Sequence, residues 1–344
     1  MPVRVEAGMA CRVVTKPEIV PGRVSAEAPN AAFIAGAPRC GTTSFARYLK
    51  RHPQVSFSII KEPHFFALQD LRGLDDEQLE EVVTRDYLDR YFPGRAGFPM
   101  IAEGSVTSLY IPDRVAPVLK LWPDARFVIS VRSPLEMIPS LHQRLFYNGD
   151  EDVRDFAKAW ALVPERRQGR KIPRRTADPR WLDYWESGML GKHVGEFVRV
   201  LGRERTFISV FDDYVADPAG QYRKLLDFLG LDDDGRTDFS RHRESRGVKS
   251  AFLQRLLQRP PKAAVSMLAR DGQKLRVDAK RGEVGGAARA VLSLRKRVLN
   301  WNKTDAPKIV LPEALKDEMR AMYRDDVAKL SELLGRDLSH WLKR

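Results

Sequence analysis

The run Gly36-Ala37-Pro38-Arg39-Cys40-Gly41-Thr42-Thr43 separates an apolar stretch from an amphipathic one. In that setting backbone N–H groups can converge on an anion, and a helix starting at Thr42 would add the positive end of its dipole. The G-x4-G spacing is that of a phosphate-binding loop, but Thr42 stands where nucleoside triphosphatases need a lysine to reach the outer phosphates. The cation is Arg39 instead, inside the loop. Such a loop suits a 5′-phosphate with a guanidinium reaching one group further out. A glycine-rich strand–helix turn without a ligand stays open as the plainer reading. Cys40 sits at the same helix start, where the dipole is expected to lower its pKa; it also fits as a small residue in a tight turn.

Two further constellations could complete a site. Arg132-Ser133-Pro134 follows the run RFVISV, with Ser140 eight residues beyond Arg132. An arginine at the carboxyl end of a parallel strand lies on the ligand side of a sheet, and the next helix could bring Ser140 to the same anion. Taken alone, Arg132 reads equally well as a helix cap or a bridge to the surface. Lys61-Glu62-Pro63-His64-Phe65-Phe66 offers a carboxylate on a proline turn beside two aromatic rings. Glu62 is a candidate general base, with a pKa expected to be raised by partial burial, and His64 would orient it or touch substrate. By itself this segment also reads as a surface turn whose phenylalanines enter the core.

The elements that must position these residues follow from the patterning. AAFIAG (31–36), VSFSI (55–59), PMIAEGS (99–105), RFVISV (126–131) and TFISVF (206–211) read as strands. Helical spacing marks 44–52, 75–92, 113–123, 221–231 and 312–335, with Gly230 and Gly335 as natural stops. Strands alternating with helices predict an α/β fold of three layers, P-loop-like, with a central parallel sheet flanked by helices. Residues 1–29 read as a flexible leader and 30–344 as one domain, with a basic insertion or lid over about 241–300.

Charge narrows the ligands. The chain has 59 Lys and Arg against 46 Asp and Glu, a net +13 over 344 residues. Residues 254–299 alone carry twelve basic residues against Asp271, Asp278 and Glu283, so most of the excess is local. That segment has no zinc-ligand spacing, helix-turn-helix pattern or interleaved aromatics, which argues against nucleic acid as a partner. Apolar spacing at Phe252, Leu253, Leu256 and Leu257 makes an anionic membrane a candidate peripheral contact beside the simpler reading of a solvated lid. No apolar run nears the ~18 residues of a membrane span. The first residues lack the apolar core of a secretory signal, and two cysteines make no disulfide framework. The expected location is cytoplasmic, and the oligomeric state is left open.

In this order, the three constellations resemble the sulfotransferases that use 3′-phosphoadenosine-5′-phosphosulfate, and most closely the heparan-sulfate-type subgroup. G-A-P-R-C-G-T-T resembles the family's 5′-phosphosulfate loop, Arg132 with Ser140 its 3′-phosphate motif, and K-E-P-H-F-F the segment bearing the catalytic glutamate. YFPG (91–94), AEGSVTSLY (102–110) and LGRDLSHWL (334–342) are similar to that subgroup as well. The resemblance implies sulfuryl transfer to a hydroxyl of a carbohydrate or of a glycosylated or small hydroxylated metabolite, with no metal. It implies that Arg39 binds the bridging oxygen and that Cys40, Gly41, Thr42, Thr43 and Ser44 hold the 5′-phosphate. Arg132 and Ser140 would hold the 3′-phosphate, with Lys303 and Thr304 echoing a late basic loop over it. Glu62 would deprotonate the acceptor, with His64 nearby. The chain departs from the glycan subgroup in having Arg39 and Gly104 where lysines are usual. The rival readings are a kinase-like phosphotransferase with a degenerate P-loop and a non-catalytic nucleotide-binding module.

Overall fold

A computed structural model describes residues 29–343, apart from 175, 241–245, 259–276, 279, 284 and 306–308. The expected leader and the centre of the basic segment therefore lie almost wholly outside the described residues.

Five strands form the sheet: β1 (Asn30–Gly36), β2 (Val55–Phe57), β3 (Met100–Glu103), β4 (Arg126–Val131) and β5 (Thr206–Val210). Their order is β2-β3-β1-β4-β5, and every neighbouring pair is parallel. Parallel strands are covered on both faces, which is why β1 and β4 read as continuous apolar runs. Alternate side chains enter two separate cores. Ala31, Phe33, Phe127 and Ile129 join the larger one, while Ala32, Ile34 and Val128 join the smaller. Phe33 is the hinge of the larger core, stacked on Phe127 and edge-on to Phe66 and Trp122.

Helices cover both faces, as the alternation predicts. The smaller core is closed by α1 (Thr42–Leu49) and by the helix Pro218–Leu229. The larger lies under α2 (Pro134–Asn148), α3 (Leu190–Leu201) and α4 (Glu313–Leu334). The stretch expected as one helix over 113–123 is two short turns, Pro112–Val115 and Val118–Leu121, divided at Pro117, which has no N–H to donate.

The basic segment has more order than its weak patterning implied. β6 (Arg246–Val248) pairs antiparallel with β7 (Lys303–Asp305), and the helices Ala251–Gln258 and Gly286–Trp301 lie between them in sequence. Asn302 is fully buried and ties the unit together, accepting from Ser250 N–H and donating to Ser250 O and Gln254 Oε1. Gln254 then donates to Tyr147 O at 2.8 Å, anchoring the unit on α2.

Candidate active site

The topology gathers the candidate residues at the carboxyl ends of the strands. Chain order makes β1 the switch point: the path leaves it toward β2 and β3 on one side, then crosses to β4 and β5 on the other. The crevice between β1 and β4 is where an open α/β sheet binds ligands, and the loops after these strands carry Arg39 and Arg132.

The loop after β1 is shaped for an anion. Arg39 and Gly41 both adopt left-handed backbone, with φ of 66° and 91°. Successive left- and right-handed residues turn N–H groups to one side. No side chain caps α1, so its first-turn N–H groups, at Thr42 and Thr43, face the loop. Gly41 packs against the Phe211 ring, where a Cβ would come within 3.0 Å. Cys40 is buried and its sulfur leans on Pro38 O at 3.5 Å. Burial outweighs the fields of Arg132 and Arg39 and pushes the thiol up to about 12, opposite to the lowering expected at a helix start. It is a packing residue in a tight turn.

Arg39, Arg132 and Ser140 come together from three elements. Arg39 Nε donates to Ser140 Oγ at 2.9 Å. Arg132 Nη1 donates to Arg39 O at 3.4 Å, and its guanidinium lies 4.5 Å from the centre of the Phe211 ring. Its Nε and Nη2 both donate to Glu136 Oε2, at 2.9 and 2.6 Å. Arg132 is thus a sheet-edge cation over the loop and not a helix cap. Phe211 and Glu136 were not singled out from the sequence; their signal was position, one following β5 and the other one turn along α2 from Arg132.

Two strands away, Glu62 and His64 occupy the loop after β2. Glu62 Oε1 accepts from Lys61 Nζ at 2.6 Å, and its Oε2 lies 3.6 Å from His64 Nε2. Burial pushes the Glu62 carboxyl up, but the hydrogen bonds and charges of His64 and Lys61 prevail and hold it down at about 2. The expected rise in its pKa is therefore reversed. Glu62 is ionised at neutral pH, the state a base needs, and its side chain is one-third exposed.

His64 is held from β3's loop, by residues of the segment AEGSVTSLY to which the sequence assigned no individual role. Its backbone N–H donates to Ser105 Oγ at 2.8 Å, and its Nδ1 shares a 3.0 Å hydrogen bond with Thr107 Oγ1. Ser105 Oγ in turn donates to Glu103 Oε2 at 2.7 Å. The turn Val106–Tyr110 also lies on the loop after β1, because Leu109 fills the space beside Gly36. Lys303 and Thr304 sit on β7, opposite Val248 and Gly247, in the unit anchored on α2. Among the described residues, no three His, Cys, Asp or Glu side chains gather as a metal cage.

Comparisons with known proteins bear on the family and the fold. Residues 110–235 match the model of the "Sulfotransferase family", a span that begins after Glu62 and includes Arg132 and Ser140. The chain is 26% identical over 206 residues to mouse (Mus musculus) heparan sulfate glucosamine 3-O-sulfotransferase 3A1, covering 58% of this chain and 45% of that protein. It is 39% identical over 61 residues to human (Homo sapiens) carbohydrate sulfotransferase 15, covering 17% of this chain and 11% of that one. The chain thus spans about half the length, or less, of the curated relatives it matches. A solved sulfotransferase from Alicyclobacillus acidocaldarius shares the fold, with a TM-score of 0.61, 24% identity, and coverage of 92% of this chain and 99% of that one.

Proposed function

With a sulfotransferase-family sequence over residues 110–235 and the fold of a solved sulfotransferase as the premise, we propose that the protein transfers a sulfuryl group from 3′-phosphoadenosine-5′-phosphosulfate to a hydroxyl of a carbohydrate or of a glycosylated or small hydroxylated metabolite. One observation carries this reading. Two arginines and Ser140 converge over an uncapped helix start, while an ionised Glu62 lies on the loop after β2, two strands away at the same carboxyl end of the sheet.

The residues present fit a nucleotide phosphorylated at two positions, since the loop and the Arg132 side offer two adjoining cationic regions. The N–H groups and hydroxyls of Gly41, Thr42, Thr43 and Ser44 would hold the 5′-phosphate. Arg39, always charged, would stabilise negative charge developing on the leaving oxygen, a task for an oriented donor in a site with little water. Arg132 and Ser140 would take the 3′-phosphate. Glu62 would accept the proton of the acceptor hydroxyl, with His64 holding the carboxylate in place. An anion bound nearby raises the basicity of Glu62 above its value in the free protein.

The first test is a thermal-shift titration with 3′,5′-bisphosphoadenosine against ATP with and without Mg²⁺. A ligand at 100 times its Kd stabilises by about 2.7 kcal/mol, and metal-independent stabilisation by the bisphosphate is expected. Stabilisation by Mg·ATP alone would replace this reading with the kinase-like one. Radiolabelled sulfate transfer to a panel of glycans and hydroxylated metabolites then identifies the acceptor. In that assay Glu62→Gln is expected to lower kcat by about 10²–10⁴ with unchanged bisphosphate binding. Full activity in the variant would remove Glu62 as the base.

A further inference from the structure

Behind the Glu62–His64 pair lies a second carboxyl that the mechanism above does not use. Glu103 ends β3 and is 1% exposed. Facing it are Tyr87, from the helical segment that follows Val83, and Glu62 and His64, from the loop after β2. The backbone beside it is fixed, since Gly104 N–H donates to Lys61 O at 2.9 Å. A buried carboxyl group in a largely apolar sheet is costly to ionise unless it has a specific partner. Its partner is the Ser105 hydroxyl, and that hydroxyl is the acceptor for the His64 backbone N–H.

His64 needs such an anchor. It has φ of 52°, a left-handed conformation that a residue with a side chain adopts only at a cost. A serine hydroxyl has one proton and can rotate. When the proton is committed to Glu103, the oxygen lone pairs face the His64 N–H. Thr107 fixes the ring from the same turn, and the imidazole then meets Glu62.

We propose that Glu103 is a positioning residue, which orients the Ser105 hydroxyl so that His64 is locked in its left-handed pose with its ring against Glu62. The contact is read from geometry alone; its consequence for turnover rests on the sulfuryl-transfer reading. The two carboxyls are also driven apart in acidity. Burial raises Glu103 to about 7, while His64 and Lys61 hold Glu62 at about 2. Divergent environments of that kind are what separate a supporting carboxyl from a reacting one.

The test compares Glu103→Leu, which keeps bulk but removes the acceptor, with Glu103→Gln, which keeps an acceptor oxygen. Amide hydrogen exchange at His64, read by NMR on the full chain, reports the contact directly. Donor KM and kcat report its consequence. In Glu103→Leu, His64 exchange is expected to accelerate about tenfold or more and kcat to fall by at least as much, with donor KM within about twofold. Glu103→Gln is expected to restore both to within about threefold of wild type. Unchanged His64 exchange in Glu103→Leu, or a Gln variant no better than Leu, overturns the proposal. If exchange follows the expected order but the wild-type protein sulfates no acceptor, the positioning contact stands and the transfer reading falls.

Discussion

Arg132 already has an anion in its grip. Glu136, in the first turn of α2 four residues beyond Arg132, receives two of its N–H groups on one oxygen, with the carboxylate side chain 54% exposed. An exposed pair of this kind contributes only about 0.2–1 kcal/mol, so it does little for stability. In the proposed donor site its effect would fall on binding, because an incoming phosphate would share the guanidinium with a like charge. Glu136→Gln removes the charge and keeps an acceptor for Arg132. Calorimetric titration of the variant with 3′,5′-bisphosphoadenosine is expected to show about two- to fivefold tighter binding. Equal or weaker binding would mean that Glu136 serves to hold Arg132 in position. The residue scale also explains one reversed expectation. The acidity of Glu62 is set by Lys61 and His64, which adjoin it in the pattern K-E-P-H. Burial was weighed from that pattern and the contacts of Lys61 and His64 with the carboxylate were not.

At the scale of elements, the proposed phosphate loop after β1 and the proposed base loop after β2 are joined by one turn, Val106–Tyr110. Leu109 sits where a side chain on Gly36 would be, with its Cβ only 2.7 Å from the position of an added Cβ, and Thr107 in the same turn holds the His64 ring. Gly36→Ala is therefore expected to push the turn away from β1, cost about 1–3 kcal/mol in urea unfolding, and weaken both donor binding and turnover. Unchanged stability would show that the turn gives way freely. The strands that carry these loops were legible because burial on both faces writes an apolar run, as in AAFIAG and RFVISV. β6 and β7 were not, since three-residue strands over fifty residues apart leave no period to read. Glu103 was hidden for another reason. A carboxylate at a strand end looks like the point where a strand meets solvent, and its burial comes from Tyr87 and the base loop packing over it, contacts distant in the chain.

At the scale of the whole molecule, the same two carboxyls make stability depend on pH in opposite directions. For Glu103 the folded pKa of about 7 lies above the ordinary 4.5. Between those values the folded chain keeps a proton that the unfolded chain has lost, so stability falls as pH rises through this window. For Glu62 the folded pKa of about 2 lies below 4.5, so its contribution is present above 4.5 and is lost as pH falls toward 2. The windows do not overlap, which lets one variant isolate Glu103. Glu103→Gln cannot titrate, so whatever it costs in packing is the same at every pH. Its melting temperature relative to wild type is expected to rise by a few degrees between pH 5 and pH 8, with most of the change complete by about pH 7. Scanning calorimetry of both proteins across that range measures the difference directly. A constant offset would mean that Glu103 has the same pKa folded and unfolded, and so that burial behind the His64 loop does not hold its proton.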